Sequence, residues 1–333
     1  MTRDREKMDH SWRNDEFARR EVIGHWWWLI IPVIAIVAGT LLPAVAWLTG
    51  TSTSEVIIYT SQDQVYAEPI LKQFERQTGI RVRAVYDSEV VKTVGLVNRL
   101  LAENDHPQCD IFWNNEELRT RQLAAKGVFE KWTAIGYRSR RIAVNTNRLS
   151  LAAAPHSIVE LTNQSWRGKV ALAYPLFGTT ATHFLALRQV WGDKCWQNWC
   201  RALAANKPFL VDGNSVAAKL VAKGEAWVGL TDSDDIAAEQ REGASIVELP
   251  LTEESLLVPN TIALVRGGGH SAGAERLFEY LKQPEVVEKL VTARALEGVS
   301  TRDVTRATLK PEWEGLLVGL DQGTAELKGV FLR

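Results

Sequence analysis

Between Trp26 and Ser54 the chain carries no charged residue for 29 positions, a run long enough to cross a bilayer and too long for an ordinary buried helix. Its apolar part, 26–48, opens on Trp26-Trp27-Trp28 and closes near Trp47, which places an aromatic residue at each membrane interface. Six Lys/Arg residues precede it, and none follows until Lys72. The positive-inside rule then makes 1–25 a cytoplasmic head, 26–48 an N-terminal transmembrane helix, 49–54 a linker, and everything from residue 55 an external portion. A cleaved signal is the alternative, with Ala44-Val45-Ala46 as a small-residue cleavage site and Arg19-Arg20 as a twin-arginine lead. The long charged lead-in and the length of the apolar run favour an uncleaved anchor. No cysteine follows closely enough for a lipid anchor.

The external portion reads as globular α/β structure. With 24% charged residues, 46% apolar residues and a net charge of −1, the chain lacks the basic surplus of a nucleic-acid binder. Its three cysteines, Cys109, Cys195 and Cys200, form neither a disulfide framework nor a Cys-x-x-Cys pair, and are expected to be small buried residues. Short apolar runs at Val56–Tyr59, Ile80–Val85 and Ile111–Trp113 alternate with helical stripes over Tyr66–Thr78, from Ser88 to Leu101, and from Leu118 to Lys126. The alternation restarts after Arg141. Strands are expected at Val170–Ala173, Phe209–Val211, Val228–Leu230 and Thr261–Val265. Helices are expected at Ala181–Trp191, Lys194–Ala205 and Val216–Lys223, from the end of the Val228–Leu230 strand to about Glu242, and at Ala272–Leu281 and Glu285–Thr292. Strands separated by helices imply parallel pairing with both sheet faces covered. Two such units in one chain offer a cleft for a ligand.

The motifs of common hydrolases and nucleotide enzymes are missing: there is no His-Glu-x-x-His, no Gly-x-Ser-x-Gly and no P-loop, and Gly267-Gly268-Gly269 lacks dinucleotide spacing. A binder rather than an enzyme is therefore expected. A sensor signalling through the anchor is the third class, and a head of 25 residues is too short to be a folded signalling domain.

Ile58-Tyr59-Thr60-Ser61-Gln62-Asp63, the helix end Phe74-Glu75-Arg76-Gln77-Thr78-Gly79, Asp110-Ile111-Phe112-Trp113-Asn114-Asn115-Glu116, Phe177-Gly178-Thr179-Thr180-Ala181-Thr182-His183 and Pro259-Asn260-Thr261-Ile262-Ala263-Leu264 stand in an order that resembles the family 1 extracellular solute-binding proteins. These are the periplasmic components of ATP-driven (ABC) importers, and the ferric-iron-binding branch is the nearest. The resemblance covers roughly 55–300. It implies a two-lobed periplasmic-binding-protein fold of type II, working with an ABC permease and ATPase. Lobe 1 would comprise 55–138 plus 264–310 and lobe 2 139–263. A helical tail over 311–333 would pack Trp313, Leu316 and Leu317 inward.

The resemblance also implies a site. Gly178, Thr179, Thr180 and Ala181 begin a helix, where backbone amides favour an anion. In ferric-binding relatives the matching segment holds phosphate or carbonate beside Fe3+, and Asn214 matches an anion-contacting asparagine. Arg138 and Arg140, near the expected lobe crossing, offer a guanidinium that would neutralise that anion, with Arg138 the expected contact and a surface ion pair the plain alternative. An ordinary threonine-rich helix cap is the plain alternative. The relatives' adjacent tyrosines match Ser233 and Asp234, their first-loop histidine matches Asp63, and their glutamate matches Asn115, beside Glu116. Asp63, Glu116, Asp232 and Asp234 would then form an oxygen-rich site for a hard cation. Capping of a helix by its aspartates, or an organic cation walled by Trp113 with Asn115 and Ser233 nearby, are the other readings.

Overall fold

Three short strands begin the first sheet. β1 (Glu55–Thr60) lies between β2 (Arg81–Tyr86) and β3 (Ile111–Asn114), parallel to both. β3 is buried throughout, β1 for the most part, and β2 at the edge exposes Arg81 and Arg83. The computed structural model describes residues 55–86, 94–251, 253–269, 271–305 and 307–332. The head, the apolar segment and the linker expected over 1–54 lie outside these residues, as do Ser88 and Val90. Among the described residues no helix is long and apolar enough to cross a membrane.

Helix α1 (Gln64–Thr78) buries Ile70, Leu71 and Phe74. It stops where Gly79 turns left-handed at φ 71° and donates its N–H to the Glu75 carbonyl. α2 (Val94–Ala102) and α3 (Glu117–Ala125) follow β2 and β3. The next strand, β4 (Phe129–Asn145), is 17 residues long and changes partners midway. Up to Ser139 it pairs antiparallel with β9 (Leu257–Val265); from Arg140 it pairs with β7 (Val228–Asp232) and β8 (Ile246–Pro250). The full order is β2-β1-β3-β9-β4-β7-β5-β6, with β8 on the second half of β4 and β5 and β6 at Val170–Ala173 and Phe209–Val211. β4 thus carries the chain from one lobe to the other.

Two cores result. Val56, Ile58, Phe74, Ile111, Trp113 and Leu277 fill the first. Ile142, Leu172, Phe184, Trp199 and Leu230 fill the second. Helices α4 (Gly178–Ala205), α5 (Asn214–Ala222) and α6 (Ser233–Arg241) cover the second sheet, and α7 (Ser271–Leu281) and α8 (Pro284–Thr292) cover the first. α4 is broken at Gly192 (φ 74°, ψ 159°), between the two helices the sequence suggests. The last helix, α9 (Trp313–Phe331), returns over α4 and buries Leu316, with Trp313 and Leu317 packed beside it. Gly323 permits that approach, since a Cβ there would collide with Leu185. One cysteine departs from expectation. Cys109 and Cys200 are buried, but Cys195, just past the break in α4, is exposed.

Candidate functional site

Arg138 and Arg140 stand two apart on β4, so their side chains share a face. Both reach the carboxylate of Asp232, the last residue of β7. Arg140 Nη1 lies 2.7 Å from Oδ1 and Arg138 Nη2 lies 3.2 Å from Oδ2. Arg138 Nη1 also lies 2.5 Å from Asp234 Oδ2, in the first turn of α6. The Thr179 hydroxyl donates to Asp232 Oδ2 at 2.6 Å and Asn214 Nδ2 to the same oxygen at 3.1 Å. The Thr180 hydroxyl and Arg140 Nη1 both donate to Asn214 Oδ1 at 3.0 Å. One carboxylate therefore ties the starts of α4, α5 and α6 to the crossing strand.

The charges are buried and unequal in their effects. Burial alone would raise the Asp232 carboxyl, but Arg138, Arg140 and the hydrogen bonds outweigh it and hold the group below its ordinary range. Burial pushes Asp234 up to about 6, aided by the charges of Asp232 and Asp63 and opposed by Arg138. Asp235 is raised well above its ordinary range, first by burial and then by the charges of Asp234, Asp232 and Asp63. Its carboxylate also accepts the Thr231 hydroxyl at 3.1 Å. Asp232, Asp234 and Asp235 each bring one oxygen within 4.8 Å of the others. Asp234 Oδ1 and the Nε atoms of Arg138 and Arg140 are buried without a hydrogen-bond partner.

Beside this network lies a cleft of about 40 Å³, room for a few waters or one small oxyanion. Gly178 and Thr179 line it from α4, Gly213 and Asn214 from α5, and Arg138 and Asp235 from the network; Asn115 reaches it from the first lobe. The first amides of a helix have no acceptor within it, and neither N-cap, Phe177 or Gly213, supplies one from its side chain. Two positive helix ends and the Arg138 guanidinium thus face one small space that Asp212, Asp232 and Asp235 also line.

Not all the residues expected at the site meet there. Thr180 and Ala181 are buried behind Thr179, and Thr180 acts through Asn214. Glu116 does not face a ligand: its carboxylate caps α3, accepting the Leu118 amide at 2.6 Å and the Arg119 amide at 3.0 Å, and the Thr182 hydroxyl at 2.8 Å. Trp113 is not a cleft wall. It is fully buried in the first core, and its indole donates to Asn260 Oδ1 at 2.8 Å. Asn115 is held by Ser61, its Nδ2 donating to the Ser61 carbonyl at 2.9 Å. The Ser233 hydroxyl accepts the Ser139 amide at 3.3 Å on the side away from the cleft. Asp63 stands half-buried at the start of α1; its charge reaches Asp234 and Asp235, but it is not one of the three clustered carboxylates. Asp235 and Gly213 are not among the residues expected to line the cleft. Nearness to the expected lobe crossing is the signal for Arg138 and Arg140; nothing in the sequence separates Asp235 from an ordinary first-turn aspartate.

A family model described as bacterial extracellular solute-binding protein matches residues 56–292. The major ferric iron-binding protein of Neisseria meningitidis is 21% identical over 300 residues, covering 81% of this chain and 88% of that protein. Among solved structures, iron-bound HitA from Pseudomonas aeruginosa superposes with a TM-score of 0.72 at 18% identity, over 83% of this chain and 99% of that one. The periplasmic binding protein AfuA from Actinobacillus pleuropneumoniae, with exogenous fructose-6-phosphate bound, gives 0.75 at 18% identity, over 84% and 99%.

Proposed function

Because this chain belongs to the bacterial extracellular solute-binding proteins, we propose that it captures a small solute between its lobes outside the cytoplasmic membrane and delivers it to an ABC permease and ATPase. The solute presents an oxyanion, a phosphoryl group foremost, to the starts of α4 and α5. Segment 26–48 holds the protein at the membrane, or releases it to the periplasm if cleavage follows Ala46. The observation that carries the ligand class is the convergence of two uncapped helix N-termini and Arg138 on one small cleft.

A hard cation held with that anion is the second reading. It is favoured by the three clustered carboxylates and the unpartnered Asp234 oxygen. Two guanidinium groups already neutralise Asp232 and Asp234, so a cation would have to compete with them for those carboxylates. Glu116 is also spent on its helix.

The test is thermal unfolding of the full-length protein, freed of metal by chelation, with inorganic phosphate, sugar phosphates and phosphonates, and separately with ferric nitrilotriacetate. An oxyanion at a hundred times its dissociation constant should raise the Tm by roughly 4–5 °C without iron. A shift with ferric iron and none with any oxyanion alone would overturn the phosphoryl reading in favour of the cation.

A further inference from the structure

On the flank of the hinge, a row of polar contacts runs from the first lobe to the second. Tyr66, on α1, is buried, and Arg241 lies at the end of α6. Arg241 Nη2 donates to the Tyr66 hydroxyl oxygen at 2.5 Å, with the guanidinium 5.0 Å from the ring centroid. The same hydroxyl donates to the Asp234 carbonyl at 3.3 Å. Burial pushes the Tyr66 phenol up to about 12, so it keeps the proton it donates. Arg241 Nη1 reaches back across the gap to the Ala293 carbonyl at 2.9 Å, just after α8.

The row continues. Arg294 holds a left-handed backbone at φ 59°, a conformation unfavourable to any residue with a Cβ. From there Nη1 donates to Gln240 Oε1 at 2.7 Å and Nη2 to Glu248 Oε1 at 3.2 Å, both in the second lobe. Glu297 accepts Arg141 Nη2 at 2.7 Å and the Ser139 hydroxyl. The Arg294 contacts are half-exposed and weak individually. The contacts at Tyr66 and Arg141 are buried on at least one side and carry more.

We propose that this row is a latch that holds the two lobes closed through the protein's own atoms, and that Tyr66 is the positioning residue that joins it to the ligand site. The join is physical. The Tyr66 hydroxyl bonds the first turn of α6, the turn whose Asp234 side chain grips Arg138. Opening the lobes must break that bond, which ties Tyr66 of the first lobe to the start of α6 in the second. The proposal rests on closure of two lobes over a solute and not on the chemistry of that solute, so it can fail independently of the phosphoryl reading.

The test is a distance between lobes in the full-length protein. Nitroxide labels go on native Cys195, exposed on α4, and on Gln77→Cys, exposed at the end of α1; Cys109 and Cys200 are buried. Double electron–electron resonance without added solute should give one narrow distance for the parent. Tyr66→Phe and Arg241→Ala should each lengthen or broaden it by more than about 2 Å. Lys282→Ala, which breaks a pair with Glu279 inside one lobe, should leave it alone. Inorganic phosphate, added last, reports separately on the ligand. A parent distribution as broad as that of the variants, or variants that superimpose on the parent, overturns the latch. Should Tyr66→Phe fail to fold, Arg241→Ala, at an exposed side chain, still decides the question.

Discussion

Asp232 takes hydrogen bonds or ion pairs from Arg138, Arg140, Thr179 and Asn214, so its charge is committed to the scaffold. Glu116 is committed in the same way. Glu116→Ala should cost about 1–2 kcal/mol in urea denaturation through loss of its cap, while the phosphate-induced rise in Tm survives. Loss of that rise would restore Glu116 as a ligand contact. His183 gives a pH prediction. Burial, then the Arg140 charge, lowers its pKa from an ordinary 6.5 to about 3, and its ring bonds the Glu254 carbonyl at 2.7 Å. A base held neutral in the fold but protonated in the unfolded chain contributes stability that is present above pH 6.5 and lost as pH falls from there toward 3. The slope from this residue should approach 1.4 kcal/mol per pH unit at most, about the full linkage of one proton. His183→Gln should flatten that limb of the urea-derived stability curve; an unchanged slope would remove His183 from the account. At this scale the sequence reveals residue types, and the segment around Thr179, Asn214 and Arg138 was found through them. It does not reveal partners. Glu116 and Asp235 are both acidic residues near helix starts; only the packed structure shows that one faces its own helix amides and the other the cleft.

Most elements were legible because their signals are local. Val170–Ala173 and Phe209–Val211 are strands over the expected residues, and Gly79 ends α1 as a left-handed stop should. β4 was missed for a physical reason. Phe129–Asn145 carries Arg138, Ser139, Arg140 and Arg141 in its centre, where a buried strand normally shows apolar residues. Those side chains are buried because the strand passes between lobes, with acidic partners on both faces: Asp232 and Asp234 on one, Glu248 and Glu297 on the other. The break in α4 also has a local cause. Gly192 sits at φ 74° and ψ 159° with open space where a Cβ would go. Gly192→Ala should therefore destabilise by about 1–3 kcal/mol through backbone strain alone. A neutral result in chemical denaturation would show that the two halves of α4 can rejoin.

At the scale of the molecule, the sequence pointed to two α/β units, and the order of strands shows how they interlock. β3 does not find its second neighbour among the strands that precede it; it pairs with β9, nearly 150 residues later. The second lobe is likewise finished by α9, whose Leu320, Leu327 and Phe331 enter the core built by α4. Contacts so distant in sequence are slow to form, and a ribosome releases the N-terminal segment first. While β9 is still unmade, Ile111 and Trp113 have one open edge, and Ile58 and Val56 lie under an incomplete cover. Neither lobe can reach its final core from its own first half. The interval between the emergence of β3 and that of β9 is when an unfinished chain is most exposed to aggregation, and when a holding chaperone would have most to protect.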